Sequence, residues 1–152
     1  MISLGIRVKP TEFTIAVYDS LSNDLVNVEK VKVPKALETP EALKYIRNTI
    51  LDIIREFKIT HAGIRITESS SKHLNIRRIE IEGVIQEAFA SSTIASYYVG
   101  QISSISSRVG IERADFKRYV NGDIDYELVE NWDALDQDAR EAVLTALGGR
   151  DA

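Results

Sequence analysis

The spacing of apolar residues in this chain changes near residue 39, and this change constrains the fold more than any other feature. Before it, β-branched and aromatic residues alternate with polar ones, which predicts strands at about 2–9, 13–19 and 25–33. After it, apolar residues recur every three or four positions, which predicts a helix over 39–57. Short turns between the three strands favour an antiparallel meander.

The rest of the chain alternates predicted strands and helices. A strand over 60–67, a helix over 75–90 and a strand over 93–99 follow in that order. Because helices separate the third, fourth and fifth strands, these strands are expected to pair in parallel through right-handed crossovers. Residues 100–131 carry weaker patterns and predict an irregular connection with a short helix at 112–119.

Capping residues mark the starts of two helices. Thr39 is a candidate N-cap with Pro40 at the first helical position. Asp133 is expected to cap the last helix, with Asp136 three residues on as an acidic capping-box analogue and Gly148 as the stop.

Length and composition indicate one α/β domain over residues 1–152, with 44% hydrophobic residues. The absence of cysteine excludes disulfides and zinc thiolates and favours a cytoplasmic location. No segment approaches the ~20 apolar residues of a membrane span, so no membrane partner is expected. The net charge of -4 argues against coating nucleic acid by bulk charge but leaves room for a local basic cleft.

Several strings carry a family resemblance. Ile2 to Arg7 reads Ile-x-Leu-Gly-Ile followed by a polar residue, 62–67 forms the fourth strand, and 133–147 is an acidic, alanine-rich helix. Together with the order of elements, these strings resemble the resolvase branch of the ribonuclease H-like superfamily. GIRVK, GIRITESSSK and IEGVIQ also resemble a small bacterial family of unknown function assigned to the same fold. The resemblance implies a five-stranded mixed sheet, three antiparallel strands and then two parallel ones, with helices on both faces.

The resemblance also identifies where a metal centre would lie. Members that cleave nucleic acid hold two Mg²⁺ ions with carboxylates from the first strand, the fourth strand and the last helix. Here the first position is Arg7, and the second is Arg65, or Ile66 if the register shifts by one. A guanidinium cannot lose its proton to become a ligand, so no catalytic residue and no cofactor are expected. Only the final helix keeps acids, Asp136 and Asp138.

Two interpretations of the basic residues remain open. In one, they form a cleft that binds an anion or a partner. The residues of that cleft are Arg7, Lys9, Arg65, Lys72, Arg77 and Arg78. In the favoured interpretation, Arg7 and Arg65 instead form internal salt bridges. Their expected acidic partners are Glu68, Glu82 or Asp138.

An enzyme is the alternative. Four carboxylates would then form a rearranged site for Mg²⁺ or Mn²⁺ in a divergent metal-dependent nuclease or phosphodiesterase. These residues are Glu68, Glu82, Asp136 and Asp138. The two histidines, His61 and His73, have no metal-ligand spacing.

The resemblance, together with arginine at both strand positions, implies a non-catalytic ribonuclease H-like domain that acts as a binding or assembly module, and by analogy in a bacterial nucleic-acid or defence-related complex. The expected partner is nucleic acid or protein, including a second copy of the chain in a homodimer.

Overall fold

The alternating segments of the sequence form one five-stranded mixed sheet in the computed structural model, which describes residues 1–151. Its strands are β1 (Ile2–Val8), β2 (Glu12–Asp19), β3 (Asp24–Lys32), β4 (His61–Arg65) and β5 (Ser96–Gly100). The order across the sheet is β3-β2-β1-β4-β5. β1 to β3 pair antiparallel, whereas β1, β4 and β5 pair parallel, which confirms the predicted sheet.

Within residues 1–151, five α-helices flank the sheet. They are α1 (Thr39–Glu56), α2 (Ile76–Ser91), α3 (Ile102–Val109), α4 (Phe116–Asn121) and α5 (Gln137–Gly148). Short 3-10 turns cover Arg113–Asp115, Trp132–Ala134 and Gly149–Asp151. In the part of the chain described here, no helix is long and apolar enough to cross a membrane.

Strand alternation divides the core between the two faces of the sheet. Leu4, Ile6 and Val8 of β1 are fully buried against α1 and α2. Gly5 lies on the other face, where a Cβ atom would come within 2.1 Å of the Ala142 carbonyl oxygen of α5. The missing side chain therefore lets the backbone of α5 lie directly on β1.

The prediction for residues 100–131 was wrong in one part, because it missed α3. Its serines are poor helix formers, but Ile105 is fully buried and Gly110 ends α3 in the left-handed conformation at φ 75°. Burial of the apolar positions therefore outweighs the low propensity. The predicted helix at 112–119 is present as α4, shifted to Phe116–Asn121.

Both predicted N-caps lie at the wrong residue. Thr39 is the first residue of α1, and Glu38 occupies the N-cap position. Asp133 lies in a 3-10 turn, after which Leu135 is extended, so a continuous helix cannot begin there. Asp136 is the N-cap of α5, and its side chain accepts a hydrogen bond of 2.9 Å from the Ala139 amide.

Candidate anion-binding site at the carboxyl ends of β1 and β4

Two arginines lie side by side where β1 and β4 end. The parallel register pairs Arg7 with Arg65, which resolves the uncertainty between Arg65 and Ile66. β4 ends at Arg65, and Arg7 is one residue from the end of β1. Both side chains are largely buried, with 15% and 7% of their surface exposed.

Glu141 of α5 lies between the two guanidinium groups. Arg7 Nε donates a hydrogen bond to Glu141 Oε2, and Arg65 Nε lies 3.4 Å from Glu141 Oε1. The Glu141 side chain is only 10% exposed, so the carboxylate has exchanged water for two permanent positive charges. Because α5 packs closely on Gly5, this carboxylate lies at the strand ends.

Arg65 also pairs with Glu68, as one of the sequence interpretations predicted. Arg65 Nη1 donates to Glu68 Oε2 at 3.2 Å, and that oxygen also accepts the Ile102 amide at the start of α3, at 3.1 Å. Arg7 pairs with Glu141 and not with the acidic partners predicted for it. Internal salt bridges therefore engage both arginines.

Glu82 fixes the chain just beyond β4. The residue is 3% exposed, and its carboxylate accepts hydrogen bonds from the Thr67 amide at 3.0 and 3.1 Å and from the Thr67 hydroxyl at 3.0 Å. Arg78 Nε donates to it at 2.8 Å. Burial, the charge of Arg7 and that of Arg65 lower the pKa of Arg78, although Glu82 opposes them. The guanidinium groups of Arg7 and Arg65 are therefore close enough to repel that of Arg78.

Two lysines engage the acids at the start of α5. Asp138 lies 2.8 Å from Lys9 Nζ and 3.3 Å from Lys30 Nζ, and Asp136 lies 3.0 Å from Lys30 Nζ. Burial would lower the pKa of Lys30, but hydrogen bonds and charge from both acids outweigh it and raise that pKa. Burial likewise acts to raise the pKa of Asp136, but the Ala139 amide and Lys30 outweigh it and lower that pKa.

Two of the predicted basic residues lie away from these acids. Arg77 Nη1 donates to the Thr39 hydroxyl at 2.7 Å and so points to α1. Lys72 is exposed in the loop between β4 and α2. The structure thus brings together Arg7, Lys9, Arg65 and Arg78 with the acids, but not Arg77 or Lys72.

A cleft of about 360 Å³ opens beside the ion pairs, and some of its residues were not predicted. Glu141 follows Asp138 by three positions on α5, so the two share a helix face and both line the cleft. That spacing was a readable signal in the sequence. Lys117 also lines the cleft, and it joins Arg113 in an adjoining one. Both lie within the short helix predicted at 112–119, but no pattern placed that helix beside the strand ends.

These donors do not fit a two-metal centre. The strand positions that should supply carboxylates supply guanidinium groups, and these already contact Glu141 and Glu68. The other candidate carboxylates contact basic groups as well, Glu82 at Arg78 and Asp138 at the lysines. Within residues 1–151, no group of three or more His, Cys, Asp or Glu is arranged to hold a metal ion.

Comparison with solved structures shows that the chain has a known fold. Thermus thermophilus RuvC, solved in complex with a Holliday junction substrate, aligns with a TM-score of 0.70 at 16% identity and covers 97% of this chain and 91% of its own. A second structure of Thermus thermophilus RuvC aligns with a TM-score of 0.72 at 14% identity, covering 97% and 92%. No protein-family profile matches the sequence, and no curated protein does. The chain has the ribonuclease H-like fold of the resolvases.

Proposed function

We propose that this chain is a single, non-catalytic ribonuclease H-like domain that binds the phosphate backbone of nucleic acid at the cleft beside α5. One observation carries the non-catalytic part of the proposal: Arg7 and Arg65 are paired with Glu141 at the strand ends. The resemblance to nucleases of this fold predicts carboxylates and metal ions at the carboxyl ends of β1 and β4. Here, two cations that cannot be deprotonated already pair with the helix carboxylate.

Exposed basic groups on the rim of the cleft support the binding of phosphate. Lys9 is about half exposed although it contacts Asp138, and Lys117 is exposed on α4. Arg113 is exposed in the adjoining cleft, beside Ser70 of the loop after β4. Lysine and arginine side chains of this kind contact phosphate oxygens without reading the base sequence.

The fold gives further support. RuvC of Thermus thermophilus was solved on a Holliday junction, and it aligns with nearly the whole of this chain. Phosphate contacts position a protein on nucleic acid whether or not the bound strand is then cut. A domain with this fold and without a metal centre is therefore suited to hold nucleic acid for an assembly.

The test is a titration of labelled single-stranded, duplex and branched DNA, followed by fluorescence anisotropy in EDTA at several salt concentrations. We expect binding that weakens with salt, and we expect Lys117→Ala to reduce the salt slope for duplex DNA by about 1. Lys44→Ala is the matched control, because Lys44 is exposed on α1, on the opposite face of the sheet. The absence of binding to every DNA would contradict the proposal.

Cleavage is tested separately. The chain is incubated with the same DNA in Mg²⁺ or Mn²⁺, and we expect the strands to stay intact. Cleavage that Asp138→Asn abolishes would overturn the proposal and favour the divergent nuclease, which remains the alternative. Light scattering then tests the predicted homodimer, and cell fractionation tests the predicted cytoplasmic location.

A further inference from the structure

The adjoining cleft, of about 320 Å³, takes its two basic side chains from the segment that leads into α4. Its lining consists of Glu68, Ser70, Ile102, Arg113, Ala114 and Lys117. Arg113 and Lys117 are both exposed, and in the chain from residue 1 to 151 neither forms an ion pair. The two residues are four positions apart, and they line the same cleft.

Glu68 also lines the adjoining cleft, but its charge is already engaged. Glu68 Oε2 accepts a hydrogen bond from Arg65 Nη1 at 3.2 Å and another from the Ile102 amide at 3.1 Å. The arginines at the ends of β1 and β4 are two positive charges, and their partners Glu68 and Glu141 are two negative ones. The adjoining cleft therefore keeps an excess of two positive charges.

Ser70 lies at the tip of a turn that is fixed against the start of α3. The Ser71 amide closes the turn by donating to the Glu68 carbonyl at 3.0 Å, and the Ser69 amide and hydroxyl donate to Gln101 Oε1 at 3.2 and 3.3 Å. The Ser71 hydroxyl donates to a nearby carbonyl. Among these three serines, as residues 1–151 are described, only Ser70 has a hydroxyl without a partner. That hydroxyl is exposed on the wall of the adjoining cleft and can donate to a ligand.

Two cations and a hydroxyl donor suit a phosphomonoester better than a phosphodiester. A monoester carries about -1.5 to -2 charges near neutral pH, whereas each backbone diester carries one. Arginine and lysine both bind phosphate oxygens through charge-assisted hydrogen bonds. The volume of the adjoining cleft lies at the lower end of the range of roughly 300–1,000 Å³ for small-molecule sites, so it suits one terminal nucleotide and not a run of backbone.

We propose that Ser70, Arg113 and Lys117 form a subsite for the phosphomonoester at one end of a nucleic-acid strand. Lys117 lines both clefts, so a strand whose end is bound here continues directly into the cleft beside α5. The inference rests on the proposed function and deepens it, because it names the ligand as a strand with a phosphorylated end.

The experiment compares one oligonucleotide, single-stranded and as a duplex, in three forms. One form has hydroxyl groups at its ends, one has a 5′-phosphate and one has a 3′-phosphate. Fluorescence anisotropy with an internal label measures the Kd of each form for the full chain in EDTA. We expect one phosphorylated form to bind about fivefold more tightly than the hydroxyl form, and its identity assigns the end that is bound.

The failures of the two proposals differ in this experiment. Equal affinity for all three forms would overturn the inference and leave the proposed function standing. The absence of binding to every form would overturn both.

Variants separate a built subsite from general attraction to a more negative ligand. Arg113→Ala should abolish most of the preference for the phosphorylated end, and Ser70→Ala should reduce it by less. Arg118→Ala is the matched control, because Arg118 is an exposed arginine of the same segment that pairs with Asp115 at 3.2 Å. It should keep the preference. An equal loss of preference in Arg113→Ala and Arg118→Ala would overturn the inference, as would no loss in Arg113→Ala.

Amide NMR spectra give a second readout that does not depend on affinity. Saturating phosphorylated and hydroxyl forms are compared on the unchanged chain, and the spectra should differ mainly at Ser70, Arg113 and Lys117. Differences confined to other parts of the surface would overturn the inference. Circular dichroism establishes that each variant is folded, which is expected because the replaced side chains are exposed.

Discussion

The ion pairs at the ends of β1 and β4 differ from those on the helix surfaces in how deeply they are buried and in how far apart the two residues lie in the sequence. Arg7 and Glu141 are 134 positions apart in the sequence and are both largely buried. Arg118 and Asp115 are three positions apart, and the arginine side chain is 57% exposed. Coulomb attraction is weakly screened in the first case and strongly screened in the second. Ion pairs of similar chemistry thus hold tertiary structure at one place and contribute little at the other.

The largest difference is expected when one glutamate of each kind is made neutral. Glu141→Gln leaves the buried guanidinium of Arg7 without a carboxylate and leaves Arg65 with Glu68 alone, and we expect it to reduce the free energy of unfolding by about 3–5 kcal/mol. Glu87→Gln is the matched control, because Glu87 pairs with Arg47 on the surface. The urea midpoint of the control should not move. Equal midpoints for the two variants would show that burial does not distinguish these pairs.

The packing of α5 on β1 can be broken without altering any charge. Gly5→Ala places a Cβ atom within 2.3 Å of the Ala146 backbone nitrogen as well as against Ala142, and no flexible side chain can give way. We expect a loss of about 3 kcal/mol or more, since α5 must move away and take Glu141 with it. Gly83→Ala, at a position where the described chain leaves open space, should instead add about 0.5–1 kcal/mol. Thermal melting measures both effects.

Glu82 is a buried carboxylate that binds both a backbone amide and a cation, and its replacement tests that role. Glu82→Gln weakens the charged hydrogen bonds to Arg78 and Thr67, and we expect a cost of about 1.5–3 kcal/mol. Hydrogen exchange of the Thr67 amide should become faster. Glu80→Gln on the same helix should change stability by less than about 0.5 kcal/mol. Unchanged protection of the Thr67 amide would contradict the assigned role of Glu82.

The smallest effect is expected at Asp136, whose side chain is about half exposed. Asp136→Ala removes the N-cap of α5 and should cost about 1 kcal/mol, whereas Asp136→Asn keeps an acceptor for the Ala139 amide and loses only charge. Because the pKa of Asp136 is lowered in the folded chain, its charge stabilises the fold above about pH 4, and that stabilisation is lost as pH falls through the lowered pKa.

Urea unfolding at neutral and acidic pH measures this dependence. The difference between the unchanged chain and Asp136→Asn should be below about 0.5 kcal/mol at neutral pH, because solvent screens the exposed carboxylate. It should shrink further in acid. A difference that grows in acid would mean that the charge of Asp136 destabilises the fold.

The sequence was sufficient for the sheet and insufficient for the ion partners. Alternation and helical spacing predicted the five strands and, of the five α-helices in residues 1–151, all but α3, because each pattern is local. Arg7 and Arg65 were recognised as out of place at the strand ends, but the partner of Arg7 depends on how closely α5 approaches β1. That distance is set by Gly5 meeting the backbone of Ala142, which no local pattern encodes.

The position of β1 at the centre of the sheet has a consequence for the order of folding. On one side β1 pairs with β2 through a short turn, and on the other it must wait for β4, whose His61 pairs with Ser3. The helix that carries Glu141 comes later still. Contacts between segments far apart in the chain cost more loop-closure entropy. The antiparallel hairpins are therefore expected to form early, and the packing of α5 on β1 is expected to form late. A substitution that weakens the packing of α5 on β1 should therefore speed unfolding and leave the folding rate nearly unchanged.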